Sequence, residues 1–146
     1  MIKPFVLAAV LAAAALQAAA QPTPAGLWRT IDDQTQRERS QVRLVEQDGV
    51  LSGRIVAIAD PARQDARCDQ CTDARQGQPV LGMTIVEGVR REGEQPVWSG
   101  GTILDPNNGR SYRVRMTLRD EGRTLEVRGF VGTPLLGRTQ TWIRIE

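Results

Sequence analysis

The stretch between Trp98 and Trp142 constrains the fold more than any other part of the chain, because apolar and polar residues alternate along it in short runs. The clearest run covers residues 112–119, where tyrosine, valine, methionine and leucine take every second position and arginine or threonine the positions between them. Successive side chains of a β-strand point to opposite faces, so this period of two predicts a strand with one buried face. Turn-forming sequences separate the runs, which predicts consecutive antiparallel strands.

The segments between these runs and the start of the chain extend the pattern. Asp48-Gly49 is typical of a tight hairpin, because this pair accepts the positive φ that such a turn needs. The pair Gly100-Gly101 within a strand predicts a bulge or a barrel corner. An even number of sequentially connected strands predicts an all-β, up-and-down barrel of the lipocalin or calycin kind, in which closure removes exposed strand edges. The eight antiparallel strands expected are residues 26–31, 41–45, 50–58, 83–89, 97–104, 112–119, 124–131 and 138–145.

The first twenty residues are typical of an export signal. Lys3 is followed by an apolar run over residues 5–16 and then by three small alanines that end at Ala20, the order found in signal peptides. The apolar run is shorter than the roughly 18 residues that a membrane-spanning helix needs. We therefore expect cleavage after Ala20, a periplasmic protein without a transmembrane or lipid anchor, and a single β-barrel domain over residues 21–146.

Composition excludes several classes of function. The chain has no histidine, and its one lysine, Lys3, lies in the export signal. A serine, threonine or cysteine nucleophile therefore lacks a conventional base; carboxylate catalysis remains open by composition, but no spacing of carboxylates supports it. A formal net charge of +2 gives no footprint for nucleic acid. We expect a monomeric protein that is not an enzyme and has no cofactor, no metal site and no nucleic-acid partner.

Both cysteines, Cys68 and Cys71, lie in residues 59–79, the one long segment without strand periodicity. In an oxidising compartment two thiols this close are expected to form a disulfide, which would stabilise the loop by about 2 kcal/mol. A thioredoxin-like redox pair is an alternative, but it would need a helix at the first cysteine, and no amphipathic pattern follows Cys71. Zinc is a second alternative, with only Asp65, Asp69 or Asp73 to complete its four ligands.

Trp28 has two interpretations. The tripeptide Gly26-Leu27-Trp28 resembles the Gly-x-Trp with which lipocalin-like barrels often begin, and Trp142 and Arg144 share one face of the last strand. An arginine stacked on Trp28 would close one end of the barrel and contribute roughly 0.5–2 kcal/mol. Alternatively, Trp28 is an ordinary core residue.

A further group of residues is suited to an open barrel end. Arg128, Arg138 and Asp105 would orient a polar group of a ligand, while Trp98 and Tyr112 would provide apolar contacts together with Phe130. The alternative is that the arginines lie on the solvated face, and strand alternation favours this for Arg128. The candidate ligand-binding residues are Trp28, Trp98, Asp105, Tyr112, Arg128, Arg138, Trp142 and Arg144.

Several motifs together resemble the domain-of-unknown-function 2147 family of exported bacterial proteins. The resemblance spans nearly all of the chain after the export signal, and it implies a small β-barrel behind a signal peptide, with no established activity or catalytic residues. The chain departs from the family pattern at Leu104, where an aromatic residue is common, and in the variable loop before Pro79. The motifs are Gly26-x-Trp28, Gly82-Met83-x-Ile85, Trp98-x-Gly100-Gly101-x-Ile103-x-Asp105-Pro106-x-x-Gly109-x-x-Tyr112, Leu125-x-Val127-Arg128-Gly129-x-x-Gly132 and Gly137-Arg138-Thr139-Gln140-x-Trp142-x-Arg144.

Three functional hypotheses follow from these observations. In the first, the barrel binds a small apolar or amphipathic ligand, because eight strands enclose either one small ligand or a packed interior. A barrel filled by its own side chains would contradict this hypothesis. The second is an envelope protein-interaction or inhibitor module that acts through the disulfide-clipped loop. The third is a thiol redox protein.

Overall fold

The structure is a computed structural model that describes residues 21–146; the expected export signal and its cleavage site at Ala20 lie outside the described residues. Within them the chain forms eight strands and two single-turn 3-10 helices, at Pro61–Arg63 and Asp120–Gly122. No helix of this part is long and apolar enough to cross a membrane. The strands are β1 (Gly26–Ile31), β2 (Glu38–Gln47), β3 (Val50–Ile58), β4 (Thr84–Arg91), β5 (Val97–Asp105), β6 (Arg110–Arg119), β7 (Thr124–Phe130) and β8 (Gly137–Arg144).

The strands form a closed antiparallel barrel in sequence order, which confirms the predicted fold. Each strand pairs with the next, and β1 pairs with β8 through Trp28 opposite Arg144 and Thr30 opposite Trp142. Odd-numbered strands run from one end of the barrel, here called the base, to the other, here called the mouth. The mouth carries the connections at residues 32–37, 59–83, 106–109 and 131–136.

Four strands are longer than predicted, namely β2, β4, β5 and β6. β2 begins at Glu38, although apolar alternation marks it only from residue 41, and β4 continues to Arg91. The early part of β2 is polar because Ser40 faces the hollow end of the barrel and bonds Thr30 there. Alternation of apolar residues therefore does not mark this part of the strand.

The predicted irregularity at Gly100-Gly101 is confirmed. The register between β5 and β6 shifts between Ser99 and Gly101, and Gly100 has a φ of 84°, a conformation that glycine adopts without steric cost. A β-carbon at Gly101 would overlap the carbonyl oxygen of Glu87 on β4. The absence of a side chain at Gly101 thus lets β4 and β5 approach closely beside the bulge.

The hydrophobic core fills the half of the barrel nearest the base. Its side chains come from all parts of the sheet and are almost completely shielded from solvent, so each large one contributes about 1.5–3 kcal/mol to folding. Close packing also explains Gly53 on β3, because a β-carbon there would lie 2.6 Å from a methyl group of Leu44. Its most deeply buried residues include Trp28, Val42, Leu44, Leu51, Val89, Met116 and Leu125.

Candidate ligand cavity

The half of the barrel nearest the mouth is hollow. It contains a cavity of about 800 Å³ that opens between the mouth loops. Small-molecule sites in proteins occupy roughly 300–1,000 Å³, so the cavity is large enough for one such molecule. The half of the interior nearest the mouth is therefore not filled by the barrel's own side chains.

One side of the cavity is apolar. The inward-facing side chains of β3, β4, β5 and β7 form what we call the apolar wall, which consists of Ile55, Ile85, Ile103 and Val127. Gly129 on β7 leaves space beside this wall, because a β-carbon there would lie 3.5 Å from Cβ of Tyr112 and 3.7 Å from Ile103. These are ordinary van der Waals distances, so the position has room for a β-carbon.

The opposite side, on β1, β2 and β8, is polar but uncharged. We call it the polar seam; it consists of Thr30, Ser40, Gln140 and the indole N–H of Trp142, all of which line the cavity. The hydroxyl oxygens of Thr30 and Ser40 are 2.8 Å apart. The indole Nε1 of Trp142 donates to Oε1 of Gln140 at 3.2 Å.

Among residues 21–146, the charged side chains that line the cavity lie at the mouth, beyond the polar seam. Arg138 forms a bidentate ion pair with Asp33, with Nη2 to Oδ1 at 2.6 Å and Nε to Oδ2 at 3.1 Å. The hydrogen bonds to this carboxylate raise the pKa of Arg138 above its ordinary value. Asp105 accepts a hydrogen bond from the backbone N–H of Asn107 at 2.9 Å and so fixes the β5–β6 hairpin. The other charged residues that line the mouth are Glu38, Arg39, Asp60 and Arg63.

The disulfide-clipped loop covers one side of the mouth. The predicted disulfide between Cys68 and Cys71 is present, and both cysteines are buried. The loop packs against the β5–β6 hairpin so tightly that a β-carbon at Gly109 would overlap the backbone of Gln70. The segment between Cys71 and the start of β4 contains no helix.

The other side of the mouth is an apolar loop between β7 and β8. Val131 and Leu136 line the cavity entrance, yet they are 65% and 71% exposed. Leu135 between them is 89% exposed. The cavity thus opens beside a small apolar surface.

Arg144 closes the base. Its guanidinium carbon lies 4.3 Å from the centroid of the Trp28 ring, which is the stacked arrangement that Gly-x-Trp suggested. The guanidinium also donates to the backbone carbonyls of Gly122 at 2.6 Å, Ala25 at 2.8 Å and Thr23 at 2.5 Å. Burial lowers the pKa of Arg144 from its ordinary value.

The eight candidate residues divide into separate groups. Trp98 is buried away from the cavity, with the guanidinium carbon of Arg91 5.4 Å from its ring centroid. Arg128 does not line the cavity; its guanidinium donates to Thr139 and to the carbonyl of Pro134, consistent with the solvated-face interpretation. Trp28 and Arg144 lie at the base, and the cavity brings together the other four, Asp105, Tyr112, Arg138 and Trp142.

Most of the polar seam was missed from the sequence. Thr30 and Ser40 are small neutral residues in strands, and nothing in their immediate sequence distinguishes an inward from an outward side chain. A signal did exist for Gln140, because the period of two places it on the same face of β8 as Arg138 and Trp142. The inward orientation of that face follows once Trp142 is assigned to the interior.

The chain matches, over residues 26–144, the model of a family described as an uncharacterized protein conserved in bacteria, DUF2147. It belongs to this family. The DUF2147 match extends from the first residue of β1 to the last residue of β8 and so covers the whole barrel. The resemblance expected from the motifs is thereby confirmed.

A solved structure supports the fold of this DUF2147 chain. Protein HP1028 from the human pathogen Helicobacter pylori, described as belonging to the lipocalin family, superimposes with a TM-score of 0.74. The identity is 18%, and the match covers 86% of this chain and 84% of that chain. At this identity the likeness shows a lipocalin-like fold alone. No curated protein sequence matches the chain.

Proposed function

We propose that this protein is an exported, non-enzymatic binding protein that holds one small amphipathic molecule inside its barrel. The observation that carries the proposal is the cavity of about 800 Å³ with an apolar wall on one side and a polar seam on the other. Transfer of apolar ligand surface from water to the wall would supply about 25 cal/mol per Å². The lipocalin-like fold is compatible with this use.

Three further features support the proposal. The charged and apolar pattern of residues 1–20 supports export to the periplasm. The Cys68–Cys71 disulfide is the form expected in an oxidising compartment. The absence of histidine from the chain supports a binding rather than a catalytic role.

Filling the cavity tests the proposal. The probe is N-phenyl-1-naphthylamine, an uncharged apolar dye whose fluorescence rises when it leaves water. We expect saturable binding to the native protein and at least about tenfold weaker binding to Gly129→Leu, whose side chain would project between Tyr112 and Ile103. The matched control is Thr141→Leu, on the outer face of the neighbouring β8, which is expected to bind the dye normally. Equal binding by both variants would contradict the proposal.

An alternative function is the capture of an envelope protein by the disulfide-clipped loop. The observation in its favour is that backbone hydrogen bonds hold the loop, such as that from Cys68 N–H to the Gln78 carbonyl, while many of its side chains are exposed. Arg75, for example, ties the loop to β4 through the carbonyl of Thr84 at 3.0 Å, and Gln70 beside the disulfide is exposed. A Gln70→Glu/Asp69→Lys variant should lose a periplasmic partner captured by the native protein without losing the dye. Unchanged capture would remove this alternative.

A further inference from the structure

The polar groups of the cavity are arranged along its depth rather than at one end. Thr30 lies opposite both Ser40 and Trp142 in the sheet, so these three form the deepest polar layer. Gln140 is two residues nearer the mouth on β8, and Arg138 follows at the entrance. Ile55, Ile85 and Ile103 of the apolar wall lie on strands that are not paired with β1 or β8, whereas Val127 is paired with Gln140 on the neighbouring strand.

Gln140 has hydrogen-bonding capacity to spare. An indole N–H can only donate, so the atom of the Gln140 amide that meets Trp142 is the oxygen. This orientation leaves the amide Nε2 with two N–H groups, and within residues 21–146 that nitrogen donates to no protein acceptor. The side chain therefore presents donors to a molecule in the cavity.

Thr30 and Ser40 have similar spare capacity. The Thr30 hydroxyl lies 2.8 Å from the Ser40 hydroxyl and 3.3 Å from the Ser40 carbonyl oxygen. Each hydroxyl has one donor and two acceptor positions, so the pair retains acceptor positions after these bonds are made. Since Thr30 is only 5% exposed, the unused acceptor position of its hydroxyl faces the interior of the barrel rather than bulk water.

We infer that the cavity selects a facially amphipathic ligand, a rigid molecule with hydroxyl or carbonyl groups along one edge and an apolar opposite edge. This inference rests on the proposed function and specifies the chemistry of its ligand. A molecule with a single polar end, such as a fatty acid, would place alkyl groups against the seam. Its donors and acceptors would then lose water without a replacement partner, which is unfavourable.

The ligand groups that meet the seam are uncharged. None of the seam side chains is ionisable, and an isolated charge in this part of the barrel would be desolvated without a counter-ion. A charged group is accommodated only at the mouth, near Arg138 and Arg63. The expected ligand thus inserts a neutral, polyhydroxylated or carbonyl-bearing body and leaves any charge at the entrance.

Two bile salts test the inference as a matched pair. The ring hydroxyls of taurocholate lie on one face, and taurolithocholate has the same ring system and sulfonate but lacks all but one of them. Each would be titrated, below its micelle concentration, against protein loaded with N-phenyl-1-naphthylamine. We expect taurocholate to displace the dye at a concentration about threefold to tenfold lower, although it is the less apolar of the two.

Seam variants identify the contacts. Ser40→Ala keeps the backbone carbonyl that accepts from the Thr30 hydroxyl, so we expect the variant to fold. It should weaken taurocholate binding about threefold to tenfold and change taurolithocholate binding little. Gln140→Leu should act in the same direction, and Thr141→Val on the outer face serves as the control. Tighter binding of taurolithocholate than of taurocholate, or unchanged taurocholate binding by Ser40→Ala, would overturn the inference. Dye binding to the native protein would in that case still support the proposed function. Failure of the dye and both steroids to bind would overturn both.

Discussion

Arg144 on the last strand lies over the indole ring of Trp28 on the first, with its guanidinium carbon 4.3 Å from the ring centroid. The same guanidinium donates to backbone carbonyls in the segment before β1 and in the turn after β6. One side chain therefore connects the first strand, the last strand and the turn between β6 and β7. We therefore expect the contacts of Arg144 to stabilise the base of the barrel.

Replacing Arg144 should destabilise the barrel. Arg144→Lys keeps the positive charge but loses the planar fork that reaches several carbonyls at once. We expect a loss of about 2–4 kcal/mol in the free energy of unfolding, from hydrogen bonds to a charged donor and the stacking on Trp28. Urea unfolding followed by tryptophan fluorescence measures the change.

The control for that measurement is Arg43→Ala. Arg43 pairs with Glu146 at the surface, and its side chain is 45% exposed. Exposed ion pairs contribute less than about 1 kcal/mol, so this variant should unfold near the native midpoint. An equal loss of unfolding free energy in Arg144→Lys and Arg43→Ala would show that the contacts of Arg144 contribute no more to stability than an exposed ion pair.

Gly109→Ala should disturb the contact between the β5–β6 hairpin and the disulfide-clipped loop. Gly109 has a φ of 71°, and a β-carbon there would overlap the backbone of Gln70. Gly132→Ala is matched to it, because Gly132 has a φ of 76° but no neighbour within 4 Å of an added β-carbon. We expect about 1 kcal/mol of destabilisation for Gly132→Ala and clearly more for Gly109→Ala. Similar thermal unfolding midpoints for the two variants would mean that the close contact between the β5–β6 hairpin and the disulfide-clipped loop does not contribute to stability.

The disulfide should behave as a structural element. Removing it as Cys68→Ala/Cys71→Ala should cost about 2 kcal/mol through the entropy of the unfolded loop and speed trypsin cleavage of the loop backbone after Arg67 and Arg75. Because both sulfurs are buried, glutathione should not reduce the bond in the folded protein. Alkylation followed by mass spectrometry measures this, and rapid reduction without unfolding would favour the redox hypothesis.

Asp73 should titrate well below an ordinary carboxyl. Hydrogen bonds from the Arg75 side chain, followed by the Arg75 backbone N–H, lower the pKa of Asp73 to about 2. A lowered pKa in the folded state means that the interaction stabilises the loop above about pH 4 and is lost as the pH falls through 2. NMR titration of the carboxyl carbon should show this value, and Arg75→Gln should return it toward 3.8. An ordinary pKa in the native protein would rule out the ion pair in solution.

The fold was predictable because the barrel is built from short-range patterns. The alternation of β6, for example, results from burial of Val114 and Met116 on one face, and a local turn such as Asp48-Gly49 determines which strand pairs next. The start of β2 was not predictable in this way. Its residues around Ser40 face a hollow interior, so they resemble a surface loop in composition.

The candidate site was only partly predictable for the same reason. Tyr112 and Trp142 were recognisable because large aromatic residues on an alternating face are expected inside a barrel. Thr30 was not recognisable, since a neutral polar residue has the same local pattern whether it faces a cavity or water. For Arg128, strand alternation was a better guide than charge: it favoured the solvated face, and Val127 is the residue of that pair which faces the cavity.

Because Arg144 and Trp28 close the base, the cavity has its entrance at the mouth and no passage through the base. Any cargo that enters at the mouth has to leave by the same route, so loading and unloading share one barrier. The protein could not then pass a molecule from one side to the other. A donor and an acceptor of the cargo would have to approach the same loops, and therefore take turns.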